Sequence, residues 1–350
     1  MAKNNKSGLV VFIIVIALAV ISAALGIVKS VYPKQNSSTP YTNSNSGNYN
    51  SKNILFPLFN QKSTNEFPKT KGLYVAKLFI NGTIEQANAT YNQKWLLDTV
   101  SILKNDNNNL GIILYIDSPG GGVYESDEAY LALKDYKTSG KPVYAYMGSL
   151  AASGGYYIAC SADKIYANRN TLTGSIGVIA GGSMDLTGLM EGLGIKYTTI
   201  HAGKNKNMGN YNEPLTDEQR QIYQGIADEC YEQFTSIVAS SRKMKLEDVV
   251  KLADGRIYTA KQAQLNGLID YIGTWDDAVI NIKNSKKFDN NDFEIVEFNY
   301  EQKQNFYSYF MGAVKSLKKT ASVNSTIQQE VLELLSPKTP YPAYFYDSGR

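Results

Sequence analysis

The run LGIILYID at residues 110–117 is nearly all apolar and stops in SPGGG. A strand with one wet face alternates apolar and polar side chains. A continuous run is covered on both faces, as in a parallel sheet sandwiched by helices. The same punctuation recurs downstream. VYESDEAYLALKDYKTSG (123–140) has a helical pattern, KPVYAYMG (141–148) reads as the next strand, and LAASGGYYIACSAD (150–163) as the next helix. DKIYANRN, SIGVIAG and IKYTTIHAG read as further strands, and DLTGLMEGLG as a helix closed by glycine. Such repetition predicts an α/β domain with parallel strands.

The domain opens near KGLYVAKLFINGTI (71–84), strand-like with a turn at Asn81-Gly82. Beyond residue 213 the chain turns helical, and Thr216 followed by Glu218 and Gln219 marks a helix start. Past 285 the pattern weakens, and residues 286–350 form a C-terminal extension ending in LLSPKTPYPAYFYDSGR.

The N-terminus has a different character. A short basic segment, residues 1–7, precedes GLVVFIIVIALAVISAALGIV (8–28), which carries no charge. About 20 apolar residues cross a bilayer as a helix. Lys3 and Lys6 favour a cytoplasmic N-terminus. A cleavable signal peptide is the rival reading, but its apolar core spans about 7–15 residues, so an uncleaved anchor is preferred. Both readings place the rest of the chain across the cell membrane. Residues 29–70 include a polar, Asn- and Ser-rich stretch too poor in apolar side chains to order itself, hence a tether. The folded domain is expected over 71–285.

A formal net charge of +3 over 350 residues, with no basic block, argues against a nucleic-acid partner. Two cysteines, Cys160 and Cys230, are too few for a disulfide framework or a cysteine zinc site, and two buried thiols are favoured over one bridge. No metal or cofactor motif is visible.

Three places carry candidate chemistry. The glycines of IDSPGGGV (116–123) let backbone N–H groups approach a ligand, an oxyanion or a phosphate, or else make a tight turn. The loop lacks both phosphate-binding spacings, which argues against nucleotide. Ser153 in AASGG sits among small residues near a helix start, where developing negative charge is favoured. It is either a nucleophile or a packing serine, and the pattern is not GxSxG. A nucleophilic serine needs a base. His201 is the single histidine, and HAGKNKNMGN (201–210) adds Lys204 and Lys206. Lysine bases exist, but a free lysine is only about 0.04 % neutral at pH 7 and must leave water to serve.

SPGGGVYES, MGSLAASGGYYIACSADKIYA, TLTGSIGVI, HAGKNKNMGN and ADGRIYTAKQAQLNGLID occur in that order. Together they resemble the signal peptide peptidase SppA family over about residues 70–285. The short, membrane-anchored members are the nearest in layout. The resemblance implies a Clp protease/crotonase-like α/β fold of repeated β-β-α units and a serine endopeptidase that needs no cofactor. It maps the nucleophile to Ser153 and the general base to Lys206, with Lys204 one register away. It maps a base-orienting hydroxyl to Ser175 and the oxyanion amides to Gly121 and Gly154. It also implies peptide substrates, remnant signal peptides and unfolded segments, and a homo-oligomer with enclosed sites. Many relatives carry an acid after the base lysine and a proline soon after. Here Asn207 and Gly209-Asn210-Tyr211 stand there, so the loop has its own shape.

Two rival functions arise from the same residues. A weakly catalytic member could act as a binding or regulatory protein, with its Pro- and Tyr-rich tail in the active-site groove. A crotonase-type acyl-CoA enzyme also uses glycine-loop amides, but the extracytoplasmic placement argues against it.

Overall fold

Alternation sorts the first strand, β1 (Tyr74–Asn81), between two cores. The computed structural model describes residues 68, 70, 72–285, 288, 292–301 and 343–345. Ala76, Leu78 and Ile80 of β1 enter one buried cluster and Val75 the other. β2 (Asn109–Ser118) runs parallel to β1, from Val75 opposite Gly111 to Asn81 opposite Asp117. It sends Ile112, Leu114 and Ile116 to the first cluster and Ile113 to the second. Burial on both faces is what its unbroken apolar run requires.

The remaining strands are β3 (Gly120–Gly122), β4 (Val143–Ala152), β5 (Lys164–Ala167), β6 (Leu172–Gly174), β7 (Ile257–Thr259), β8 (Tyr271–Ile272), β9 (Glu294–Phe298) and β10 (Ala343–Phe345). The main sheet runs β7-β6-β4-β2-β1-β9, with β5 also on β4 and β8 on β5. Its pairings are parallel except β6 with β7. β3 and β10 form a separate antiparallel pair.

The helices are α1 (Gln93–Asn105), α2 (Val123–Lys137), α3 (Gly154–Ala159), α4 (Thr187–Gly192), α5 (Asp217–Arg242), α6 (Leu246–Leu252), α7 (Ala260–Leu265) and α8 (Trp275–Lys283). α1, α2, α3 and α5 cover the first face, through Leu96, Leu133, Tyr156 and Phe234 among others. Ala278 and Ile282 of α8 cover the second. α5 starts as the sequence predicts: Thr216 and Gln219 form a reciprocal capping box. Strand β9 lies beyond 285, where the sequence pattern fades, yet pairs with β1. Lys77 of β1 bonds Glu297 of β9 at 2.8 Å, its ammonium 4.5 Å from the Trp275 ring centroid and 4.6 Å from that of Phe79.

β4 departs most from expectation. It continues through Ala152 instead of ending at Gly148, and the helix after it is only α3. One edge of β4 pairs with β2, while the other pairs first with β5 (Tyr144–Met147) and then with β6 (Leu150–Ala152). SIGVIAG and IKYTTIHAG, expected as strands, are not strands. After Gly174 (φ 85°) and Ser175 (φ 50°) the chain leaves the sheet, because two successive left-handed residues break the extended run. Residues 195–200 pair with no strand among the described residues, and Ile195, Tyr197 and Ile200 stay exposed. The expected anchor at 8–28 and nearly all of the tether at 29–70 lie outside the described residues. Among the described residues no helix is long and apolar enough to cross a membrane. No disulfide joins Cys160 to Cys230, and burial pushes the Cys160 thiol up to about 12.

A largely buried ion pair ties the end of α5 to the loop before β8. Arg242, at the end of α5, bonds Asp270 at 2.9 Å and the Gly267 carbonyl at 2.9 Å; Asp270 also accepts from the Ile165 amide and from Lys164. Burial raises the Asp270 carboxyl, but Arg242, the Ile165 amide and Lys164 outweigh it and hold it below its usual range. The stabilisation is therefore complete above the unfolded carboxyl value of about 3.9 and is lost as pH falls through the lower folded value. Asp270→Asn should cost about 2–4 kcal/mol near neutrality, since Arg242 is left without its counter-charge. Urea midpoints of wild type and variant should converge as pH falls below the lowered carboxyl value of folded Asp270.

Candidate functional site

β4 delivers Ser153 at the sharp turn into α3. Its φ of 53° and ψ of −118° form a conformation a β-carbon disfavours, costing about 1–3 kcal/mol that the surrounding structure must supply. The strained strand-to-helix turn is the geometry that a GxSxG nucleophile elbow gives its serine, although the GxSxG pattern is absent here. The Ser153 amide donates to the Gly174 carbonyl at 2.8 Å, and the Tyr157 amide donates to the Ser153 carbonyl at 2.9 Å. The side chain is buried, and its Oγ has no hydrogen-bond partner among the described residues. The Thr99 and Ser126 hydroxyls are likewise buried without a partner among the described residues, so it is the strained turn that sets Ser153 apart.

The glycine strand lies beside it. α3 packs against β3, and a β-carbon on Gly155 would lie 3.1 Å from the Ser118 carbonyl. Ile84 donates its amide to the Gly120 carbonyl and accepts from the Gly122 amide, both at 2.8 Å. Successive strand residues turn their polar groups to opposite edges. The Gly121 amide and carbonyl thus face away from Ile84. On that edge sits β10, with Tyr344 opposite Gly121, and β10 also lies against α3. Position 121 admits only glycine: a β-carbon there would sit 1.8 Å from the Ile84 carbonyl oxygen.

The other expected residues divide. Ser175 is brought close, since it follows Gly174, whose carbonyl holds the Ser153 amide; it is buried, and its own amide donates to the Arg256 carbonyl at 2.8 Å. Gly154, the first residue of α3, is buried beside Ser153. Lys206 is exposed, and no hydrogen bond joins it to Ser153 within the chain. Lys204 is committed elsewhere. It pairs with Glu218 of α5, whose carboxyl the Lys204 and Asn205 hydrogen bonds hold below its usual range. His201 is exposed, its Nδ1 3.1 Å from the Gly203 carbonyl.

The Lys206 loop is ordered by amides. Asn207 is buried, donates to Asn212 and accepts from Asn210 at 2.9 Å; Tyr223 of α5 donates to the Met208 carbonyl at 3.4 Å. Among the described residues no cluster of His, Cys, Asp or Glu could hold a metal. Sequence reasoning missed the approach of Ile84 to the glycine strand, the pairing of Glu218 with Lys204, and β10, none of which has a motif of its own.

Residues 135–289 match peptidase family S49. The chain is 30 % identical over 353 residues to a protein of Enterococcus faecium named as a signal peptide peptidase SppA, covering 98 % of this chain and 99 % of that one. The chain belongs to the SppA family of serine peptidases. Protease 4 of Salmonella typhi is 33 % identical over 61 % of this chain and 34 % of its own length. A chloroplastic serine protease SPPA of Arabidopsis thaliana is 34 % identical over 55 % of this chain and 28 % of its own length. The S49 match spans Ser153, Ser175 and the Lys206 loop.

In this S49 peptidase, Gly121→Ala should push β3 off Ile84 and displace the edge amide. Labelling by a serine-reactive fluorophosphonate should fall at least about tenfold, the scale of loss that misplacement of reacting groups produces. Gly122→Ala meets only the end of the Glu125 side chain, at 2.0 Å, which can swing away, so its loss should be smaller. Equal labelling of the two variants would contradict the close approach at Ile84 as the cause.

Proposed function

We propose that the chain is a membrane-anchored SppA-type endopeptidase of Clp/crotonase-like fold that degrades remnant signal peptides and other small or unfolded segments outside the cytoplasm. The observation that carries the site assignment is Ser153: strained, buried, its Oγ without a partner among the described residues, beside a glycine strand whose Gly121 faces the edge on which β10 pairs.

In this reading an extended substrate adds antiparallel to β3, as β10 does. Ser153 Oγ attacks the scissile carbonyl while a neutral Lys206 amine takes the proton. The Gly121 and Gly154 amides bind the oxyanion, an interaction of a few kcal/mol in the transition state. Lys206 then protonates the leaving amine, and later activates the water that releases the acyl group from Ser153. Ser175 orients the amine. A lysine must leave water for this role, and the segment preceding Lys206 exposes Met184, Leu189, Leu193, Ile195, Tyr197 and Ile200. A segment with this many exposed apolar side chains suits a surface that another surface covers. Packing of copies in a homo-oligomer would cover it and dry the lysine. Family membership supports the peptide substrates and the serine mechanism; the 8–28 apolar run supports the anchor.

A second reading has its own observation. The β10 strand lies on the edge a substrate would use, so the C-terminal tail acts as a tethered occupant of its own groove and restrains activity. The acyl-CoA reading loses its ground to the family membership.

Three variants test the mechanism with a signal-peptide library and the full chain in detergent. Ser153→Ala and Lys206→Ala should each lower cleavage by at least about 10³-fold. Lys204→Ala, which removes only the pair with Glu218, should stay within a few-fold. Wild-type activity in Ser153→Ala would overturn the assignment, and the reverse lysine pattern would move the base to Lys204. For the tail, mass spectrometry should show C-terminal trimming in wild type and an intact terminus in Ser153→Ala. Deleting residues 336–350 should raise the initial rate, and an unchanged rate would count against restraint.

A further inference from the structure

The approach to Ser153 contains an irregularity that the mechanism does not use. Ile116 of β2 pairs with Met147 of β4, and Ser118 pairs with Ala151. Between those pairs β2 has one residue, Asp117, and β4 has three, Gly148 to Leu150. β4 therefore bulges immediately before the turn that carries Ser153. Bulges bend a strand and re-aim the residues after them, and they recur beside active sites.

The single β2 residue facing the bulge is also the one that holds it. The Asp117 carboxylate accepts from Ser149 Oγ at 2.8 Å and from the Leu150 amide at 3.1 Å through one oxygen, Oδ1. A β-carbon on Gly148 would lie 3.2 Å from the Asp117 side chain, so the bulge is pressed against it. On the opposite edge, buried Thr171 donates its hydroxyl to the Gly148 carbonyl at 2.7 Å, and Thr173 donates to the Ala151 carbonyl at 2.6 Å. Two residues past Ala151 the strained Ser153 begins the turn, and its neighbour Gly154 begins α3.

We propose that Asp117 is a positioning residue for the acylation step. By clamping the 148–150 bulge against β2, with Thr171 as the opposing clamp, it fixes the direction in which β4 presents Ser153 Oγ and the Gly154 amide. The proposal rests on Ser153 being the nucleophile. Asp117 touches neither reacting atom, and the role is that of a hydrogen-bond acceptor, not of a charge, since its partners at the bulge are one hydroxyl and one amide. In the proposed reading substrate adds along β3 and not along β4, so the effect falls on kcat and leaves KM in place.

The test uses the full-length chain, with acylation by a fluorophosphonate and steady-state cleavage of a signal peptide. Asp117→Ala should slow acylation and kcat by about 10- to 100-fold, the range expected for a misplaced reacting group, with KM within twofold. Asp117→Asn keeps an oxygen at the bulge and should recover most of the rate. Ser149→Ala with Thr171→Val loosens the bulge from both sides without touching Asp117, and should reproduce the kcat loss if Asp117→Ala does not fold. Acylation of Asp117→Ala at the wild-type rate, or an Asp117→Asn as slow as Asp117→Ala, would overturn the proposal. Wild type that is not labelled at Ser153 would instead overturn the nucleophile assignment, and this inference with it.

Discussion

β4 serves two partner strands on one edge, β5 and then β6, and on its other edge it carries two more residues than β2 between the pairs at Met147 and Ala151. The fork places β6 beside Ala152. Its final glycine carbonyl then receives the Ser153 amide at 2.8 Å. That one bond leads to the left-handed turn at Ser153, the immediate start of α3, and the approach of α3 to the glycine strand. Ser175, one residue past the same carbonyl, is brought to the site by the same junction.

Polar groups near this junction are satisfied by short, specific bonds: Thr171 and Thr173 to β4 carbonyls, Asp117 to the bulge, Ser118 Oγ to the Gly120 amide at 3.0 Å. The Ser153 hydroxyl is unlike them in being buried with no partner among the described residues. A low-dielectric setting makes an unpaired group costly and a paired one strong. The contrast is what a hydroxyl waiting for a base and a carbonyl would show. The candidate base is at the other extreme, on an exposed loop held by asparagines and by Glu218. A homo-oligomer is the proposed means of joining the two environments.

The α/β class, β1, β2, α2 and the capped start of α5 were legible because each depends on its own residues: an apolar run, a helical period, a threonine and glutamine three apart. SIGVIAG and IKYTTIHAG misled because their β-branched residues favour a strand, yet a strand exists only where a neighbour pairs with it. The C-terminal β10 was invisible for the converse reason. AYF has no alternation long enough to read, and its place is set by an edge more than two hundred residues earlier.

The sequence by itself determined which chemical groups the site can contain: a serine among small residues, an unsubstituted glycine run, two lysines and a lone histidine in one loop. Ordered along the chain, these segments were enough to indicate the family. Tertiary structure decided how those groups stand to one another. It set Ser153 in a strained turn, turned the Gly121 amide outward by packing Ile84 against its other edge, tied Lys204 to Glu218, and left Lys206 open to water. Residue identity fixes what can react. Pairing between distant strands fixes geometry, because a hydrogen bond across a sheet constrains residues that no local pattern links.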